Sequence, residues 1–193
     1  MPIGPGHGRV SRVIGDPIRF YRAVPGQLEL PPLDLGDLTL STWKASVDGQ
    51  PRGLFASGTN AAWYSFYKAG LFARDGLAVY AIHRGPRLLH RLLVTPRWYR
   101  FPFMAAEDLQ LGMLWTDPEA RGQGLARQAI AAVHHSLPQS VGALWYVVHE
   151  DNKPSIRLIE RLGYRLAGYG VRTQRFGLQI FGQFCLTAPT EQA

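Results

Sequence analysis

A chain of 193 residues, 46% of them hydrophobic, can form one domain with a substantial core. Its single cysteine excludes an intramolecular disulfide framework, and no run of about 18 apolar residues is present to span a membrane as a helix. A formal charge of +7 favours anionic partners such as phosphate-bearing ligands or nucleic acid. With no basic-then-apolar leader visible, a cytoplasmic protein is expected.

Met1 to Gly15 is rich in glycine and basic residues and lacks a sustained apolar period, so a mobile arm with an exposed His7 is expected. Pro25, Gly26, Pro31, Pro32 and Gly36 break regular structure up to Asp37. Residues 1–36 are therefore read as arm and extended connection, 37–189 as the domain, and 190–193 as a tail. Leu38 to Trp43 suits a first strand. Gly53 to Leu71 has loose helical spacing with many aromatic residues, a pattern that suits core packing better than a substrate wall.

Leu77 to His83 and Leu88 to Thr95 flank Arg84-Gly85-Pro86-Arg87 and form a predicted hairpin. From His83 to Arg100 there are five arginines and no acidic residue, ending in Arg97-Trp98-Tyr99-Arg100-Phe101. That segment is either a solvated strand face with a loop or a site for an anionic acceptor. Interleaved basic and aromatic residues also suit single-stranded nucleic acid.

The most informative stretch runs from Asp108 to Ala126. Leu109, Leu111, Met113 and Trp115 alternate, which predicts a strand ending near Thr116. Asp117 and Pro118 stop it, and Leu125, Ala129, Ala132 and Val133 then recur at helical spacing. The helix begins beside Gly122 and Gly124. Its first amides have no intrahelical partner, and the macrodipole adds partial positive charge, so this turn can cradle a phosphate. Arg121 supplies a full charge. The dinucleotide fingerprint and the Walker lysine are both missing.

His134 to Ser140 breaks around Pro138, and Ala143 to His149 is an almost unbroken apolar run, suited to a central strand buried on both faces. Pro154 opens a predicted helix and Gly163 closes it. Tyr164 to Ala167 and Leu178 to Leu186 are further strand candidates, joined by a segment, Gly168 to Gly177, that also suits extended structure. Strands alternating with helices predict an α/β fold with a mixed sheet.

Arg121, Gly124 and Ala126 fit R-x-x-G-x-A, which resembles the acetyl-CoA pyrophosphate loop of the GCN5-related N-acetyltransferases. Asn152-Lys153-Pro154-Ser155, running on to Gly163-Tyr164, resembles that family's second signature, with Asn152 and Ser155 matching. The resemblance covers Asp108 to Ala167. It implies a mostly antiparallel sheet flanked by helices and splayed between its two central strands. It also implies transfer of acetyl from acetyl-CoA to a primary amine of a small-molecule acceptor.

By the same resemblance Arg121, Gly122, Gln123, Gly124, Leu125 and Ala126 hold the pyrophosphate, Asn152 and Ser155 border the pantetheine arm, and the amide of Leu114, Trp115 or Thr116 polarises the thioester carbonyl. Asp108 matches the glutamate base of histone-type members. His83, His90, His149, Glu107 and Glu150 are alternatives, because a base must work near neutrality. The family's tyrosine acid falls at Ile159, which has no proton to give. Tyr164, Tyr146 or a water is left for that role, or the thiolate leaves unassisted.

No metal-ligand spacing is present and no metal is expected. A small-molecule acceptor, anionic or sugar-like, is expected rather than nucleic acid or a membrane, and a homodimer is left open. The alternative is a non-catalytic protein of the same fold that senses CoA or binds nucleic acid.

Overall fold

The computed structural model describes residues 18–173 and 182–188. The expected arm over 1–15, the tail and the first part of the strand expected from Leu178 lie outside them. Eight strands form one sheet: β1 (Ile18–Ala23), β2 (Thr39–Lys44), β3 (Ala78–Arg84), β4 (Arg87–Pro96), β5 (Leu109–Thr116), β6 (Leu144–His149), β7 (Arg165–Arg172) and β8 (Phe184–Thr187). Their spatial order is β2-β3-β4-β5-β6-β1-β7-β8. All neighbours are antiparallel except β5 and β6. The helices are α1 (Ala45–Asp48), α2 (Gly58–Lys68), α3 (Leu125–Ser136) and α4 (Lys153–Arg161).

The alternation of each strand decides which layer it meets. Leu144, Tyr146 and Val148 of β6 enter the main core with Leu109 and Leu111, beneath Ile130 and Val133 of α3 and Ile156 and Ile159 of α4. Ala143 and Trp145 face the other way, onto Trp98, Phe101 and Met104. Apolar residues at successive positions of β6 thus mark burial on both faces. Trp63, Tyr64 and Tyr67 of α2, each half-buried, pack on Trp43, Val79 and Leu93, while Phe66 is exposed. Ser57 caps α2 by accepting the Asn60 amide at 3.1 Å.

One element departs from the sequence reading. Ile18–Ala23, placed before the domain, is a strand between β6 and β7. Phe20 and Tyr21 are adjacent and both buried, one in each layer, while Arg19 reaches Glu150 at 2.6 Å. A six-residue segment buried on both sides and interrupted by two arginines shows neither a period of two nor a continuous apolar run. The Gly168–Gly177 segment is extended as far as Arg172, within β7.

β8 crosses β7 closely. A methyl group on Gly170 would overlap the Cys185 carbonyl and the Phe20 ring. Gly170→Ala is therefore expected to cost about 1–3 kcal/mol through overpacking, lowering the thermal midpoint by several degrees. Gly58→Ala, where nothing lies within 4 Å, is the control, and circular dichroism melting compares the two.

Candidate functional site: a splayed strand pair ending in a glycine loop

The parallel pair β5–β6 is short. Leu109, Gln110 and Leu111 register with Leu144, Trp145 and Tyr146, and there the pairing stops. Beyond Leu111 the strands diverge, so the backbone groups of β5 that face β6 lose their ladder partners. On its other side β5 carries a bulge. Leu93 faces Gly112 and Arg91 faces Trp115, so Met113 and Leu114 together oppose Leu92. Met113 has φ 51°, the only positive φ at a non-glycine among the described residues, and its side chain is exposed. A bulge of this kind re-aims the amides around it. The signal in the sequence is Gly112, a lone glycine inside a strand pattern.

The loop after β5 is braced from outside. The Asp117 carboxylate accepts the Glu119 amide at 3.0 Å, and Arg87 of the hairpin turn donates to Asp117 at 2.9 Å and to Glu119 at 2.5 Å. Arg87, helped by the Glu119 amide, holds the Asp117 carboxyl below its ordinary range. Gly122 and Gly124 follow with φ 79° and 78°, a conformation open to glycine at little cost. Gly124 is the N-cap of α3 and supplies no side-chain cap. The first amides of α3 therefore face outward unpaired by the helix. Nothing lies within 4 Å of the missing Cβ at Gly122 or Gly124. Arg121 and Gln123 are exposed beside them, Ala126 is half-buried, and Leu125 is buried as the anchor. The unpaired amides and the exposed Arg121 form a cradle open to an anionic group.

The facing wall is β6 with α4. Asn152 caps α4 by accepting the Ser155 amide at 3.2 Å, which fixes both residues at the mouth of the splay. Tyr146, the last β6 residue paired to β5, is buried. Burial pushes its phenol up and the Ser155 hydroxyl works against that. Trp115 is half-exposed, with the Arg91 guanidinium 5.9 Å from its ring. Leu114 packs on the main core. Thr116 is bonded to His90 Nδ1 at 2.7 Å.

Two expected catalytic side chains lie elsewhere. Asp108 is 3% exposed at the closed end of the strand pair, where it accepts from Trp145 Nε1 at 2.7 Å and from the Ala105 amide at 2.9 Å. It clasps β6 to the loop before β5 and does not face the opening. The Tyr164 hydroxyl is bonded to His134 Nε2 at 2.7 Å, and burial raises its phenol well above the ordinary value. It is a core contact between α3 and the start of β7.

His149 is exposed at the open end of β6. Among the alternatives, His83 bonds Ser41 and the Gly85 carbonyl, Glu150 is paired to Arg19, and Glu107 is exposed beside Gly142 at the closed end. In the arginine-rich segment, Trp98 and Phe101 are buried while Arg100 lies over the Trp98 ring at 4.8 Å.

His90 is buried and His134 half-buried, and both are held neutral: burial pushes each down to about 4, with the neighbouring His135 adding to the effect at His134. Unfolding returns them to an ordinary value of about 6.5, so the unfolded chain binds more protons between those limits. Stability is therefore expected to be level with respect to these groups above about pH 6.5 and to fall as the pH drops toward about 4. Urea denaturation across that range checks it, and His90→Leu is expected to flatten the slope by close to one proton.

Comparison with known proteins finds the same fold elsewhere. Residues 103–174 match the family model described as FR47-like protein. Among curated proteins none matches the sequence. A tandem GNAT protein from the clavulanic acid biosynthesis pathway shares 16% identity and a TM-score of 0.52, over 86% of this chain and 58% of its own. A glucosamine N-acetyltransferase region of a fungal multi-domain β-N-acetylglucosaminidase shares 14% identity and a TM-score of 0.52, over 81% of this chain and 20% of that one. A GCN5-related N-acetyltransferase from Kribbella flavida shares 16% and a TM-score of 0.50, over 83% and 58%. The chain thus spans little more than half the length of the first and third. The chain thus shares the fold of these GCN5-related N-acetyltransferases, and its segment 103–174 matches the FR47-like model.

Proposed function

We propose that the chain is an acetyl-CoA-dependent N-acetyltransferase acting on a primary amine of a small acceptor. The observation that carries this reading is the end of β5–β6 pairing at Leu111 and Tyr146, directly beside the bulge at Met113 and one loop away from an uncapped helix N-terminus. These three features lie in sequence along one strand and its exit. A carbonyl at the bulge, an extended arm along the opened strand and a pyrophosphate at the helix N-terminus meet these features in chain order.

Acetyl-CoA would supply an acyl group already activated as a thioester. Arg121 and the amides from Gly122 to Ala126 would hold its phosphates, and Asn152 and Ser155 would border its arm. The Leu114 amide, released from the ladder by the bulge, is the donor for charge developing on a carbonyl oxygen in the splay, a role worth about 10²–10³-fold in turnover. Tyr146, at the vertex of the splay beside Ser155, would donate toward a leaving sulfur in place of the residue at Ile159. His149 accepts the ammonium proton. Arg91, Arg97 and Arg100, near Trp98 and Trp115, would favour an anionic or sugar-like acceptor and disfavour polyamines.

One observation favours a second reading. Ile159 is fully buried and Tyr164 is committed to His134, which leaves the proton for a leaving thiolate to Tyr146, itself only 4% exposed. A non-catalytic CoA sensor of this fold would bind acetyl-CoA and release no thiol with any amine.

Calorimetry and a thiol-release assay over a panel of amines separate these readings. Arg121→Ala with Gly124→Asp is expected to weaken acetyl-CoA binding by roughly tenfold or more, since it removes a charge and places a carboxylate on the cradle. Unchanged affinity would contradict the loop assignment. His149→Gln is expected to lower turnover by about 10²–10⁴-fold with affinity retained, and full turnover would remove His149 from the mechanism.

A further inference from the structure

At the closed end of the sheet, remote from the glycine loop, lies a cavity of about 590 Å³. Its place follows from the register. β1 runs antiparallel to β6, so Arg22 and Ala23 lie beside Trp145 and Leu144, whereas the opening of the splay lies at the other end, near His149 and Ile18. The cavity is bounded by the chain leaving β1, by the end of α4 and by the start of β7. Its charged lining is Arg22, Arg161, Arg165 and Glu29, and its apolar lining includes Leu28 and Leu166.

Three arginines, all exposed, against one glutamate leave an excess of positive charge. Arg22 and Arg165 are direct cross-strand partners in β1 and β7, and like charges directly opposed destabilise a sheet. None of the three arginines is in an ion pair among the described residues. Arg161 has a local reason to be present, since it lies in the last turn of α4, where the helix dipole favours a cation. Arg22 has a partial one, with its guanidinium 5.9 Å from the Trp145 ring. Arg165 has neither. The volume is within the range of small-molecule sites, about 300–1,000 Å³.

We propose that this cavity is a second anion-binding site, for a small molecule that carries two or more carboxylate or phosphate groups on a short apolar frame. Such a ligand would satisfy Arg22, Arg161 and Arg165 together and relieve the repulsion across β1 and β7. Its frame would rest on Leu28 and Leu166. Because Arg22 registers with Trp145, and Trp145 is clasped by Asp108, the site adjoins the closed end of the strand pair whose other end opens as the splay.

The test is calorimetry and thermal melting of the full chain with two probes, citrate for carboxylates and inorganic pyrophosphate for phosphates, at low ionic strength. One of them is expected to bind and raise the melting temperature. Arg22→Gln combined with Arg165→Gln is expected to weaken that binding by roughly tenfold or more, while without anion the variant melts at the same temperature or higher because the repulsion is gone. Because the glycine loop can itself take pyrophosphate, every titration is run in a chain that also carries Arg121→Ala and Gly124→Asp, where one probe is still expected to bind and the Arg22→Gln, Arg165→Gln change still to weaken it roughly tenfold. Failure of both probes to bind in that chain, or undiminished binding to the Arg22 and Arg165 variant, would overturn the proposal.

Discussion

The site depends on one constraint: β5 and β6 run parallel and in register for three residue pairs only. A longer ladder would close the sheet and leave no opening, and no ladder would leave the two walls unrelated. At one end the pair is secured by Asp108, a buried carboxylate that accepts from the indole of Trp145 across the two strands. Removing either partner leaves a buried polar group unmatched, which costs about 1–3 kcal/mol or more. At the other end the bulge at Met113 turns β5 away while it remains paired to β4. The opening is thus a built interruption of a sheet rather than a groove between surfaces.

The walls are held by contacts that take no part in the proposed chemistry. Arg87 ties the hairpin turn to Asp117 and Glu119, so the loop leaves β5 in a fixed direction. Beneath it His90 bonds Thr116, and burial keeps that imidazole neutral. On the other wall Asn152 caps α4, and His134 joins α3 to Tyr164. A site intended to receive charge on backbone amides benefits from such rigidity, because preorganised dipoles need not reorient.

Much of this was legible in the sequence where a local rule governs. Alternation marked β5, Gly122 and Gly124 marked the start of α3, and Asn152 with Pro154 marked the start of α4. Each of these choices is made within about four residues. What was not legible depends on partners far along the chain. Asp108 meets Trp145 at a separation of 37 residues, and Tyr164 meets His134 at a separation of 30, so both carboxylate and phenol looked available for proton transfer when read locally. β1 was missed for a related reason, since its burial on both faces is imposed by β6 and β7. The bulge was signalled by Gly112 but not located, because register is a property of two strands.

The most direct measurement is an amide NMR titration of the isotopically labelled chain with acetyl-CoA and, separately, with CoA. Both ligands are expected to shift the amides from Gly122 to Ala126, and only acetyl-CoA, which carries the thioester carbonyl, is expected to move the Leu114 amide to a hydrogen-bonded position. Shifts that avoid the loop, or a Leu114 amide that responds equally to both ligands, would contradict the account.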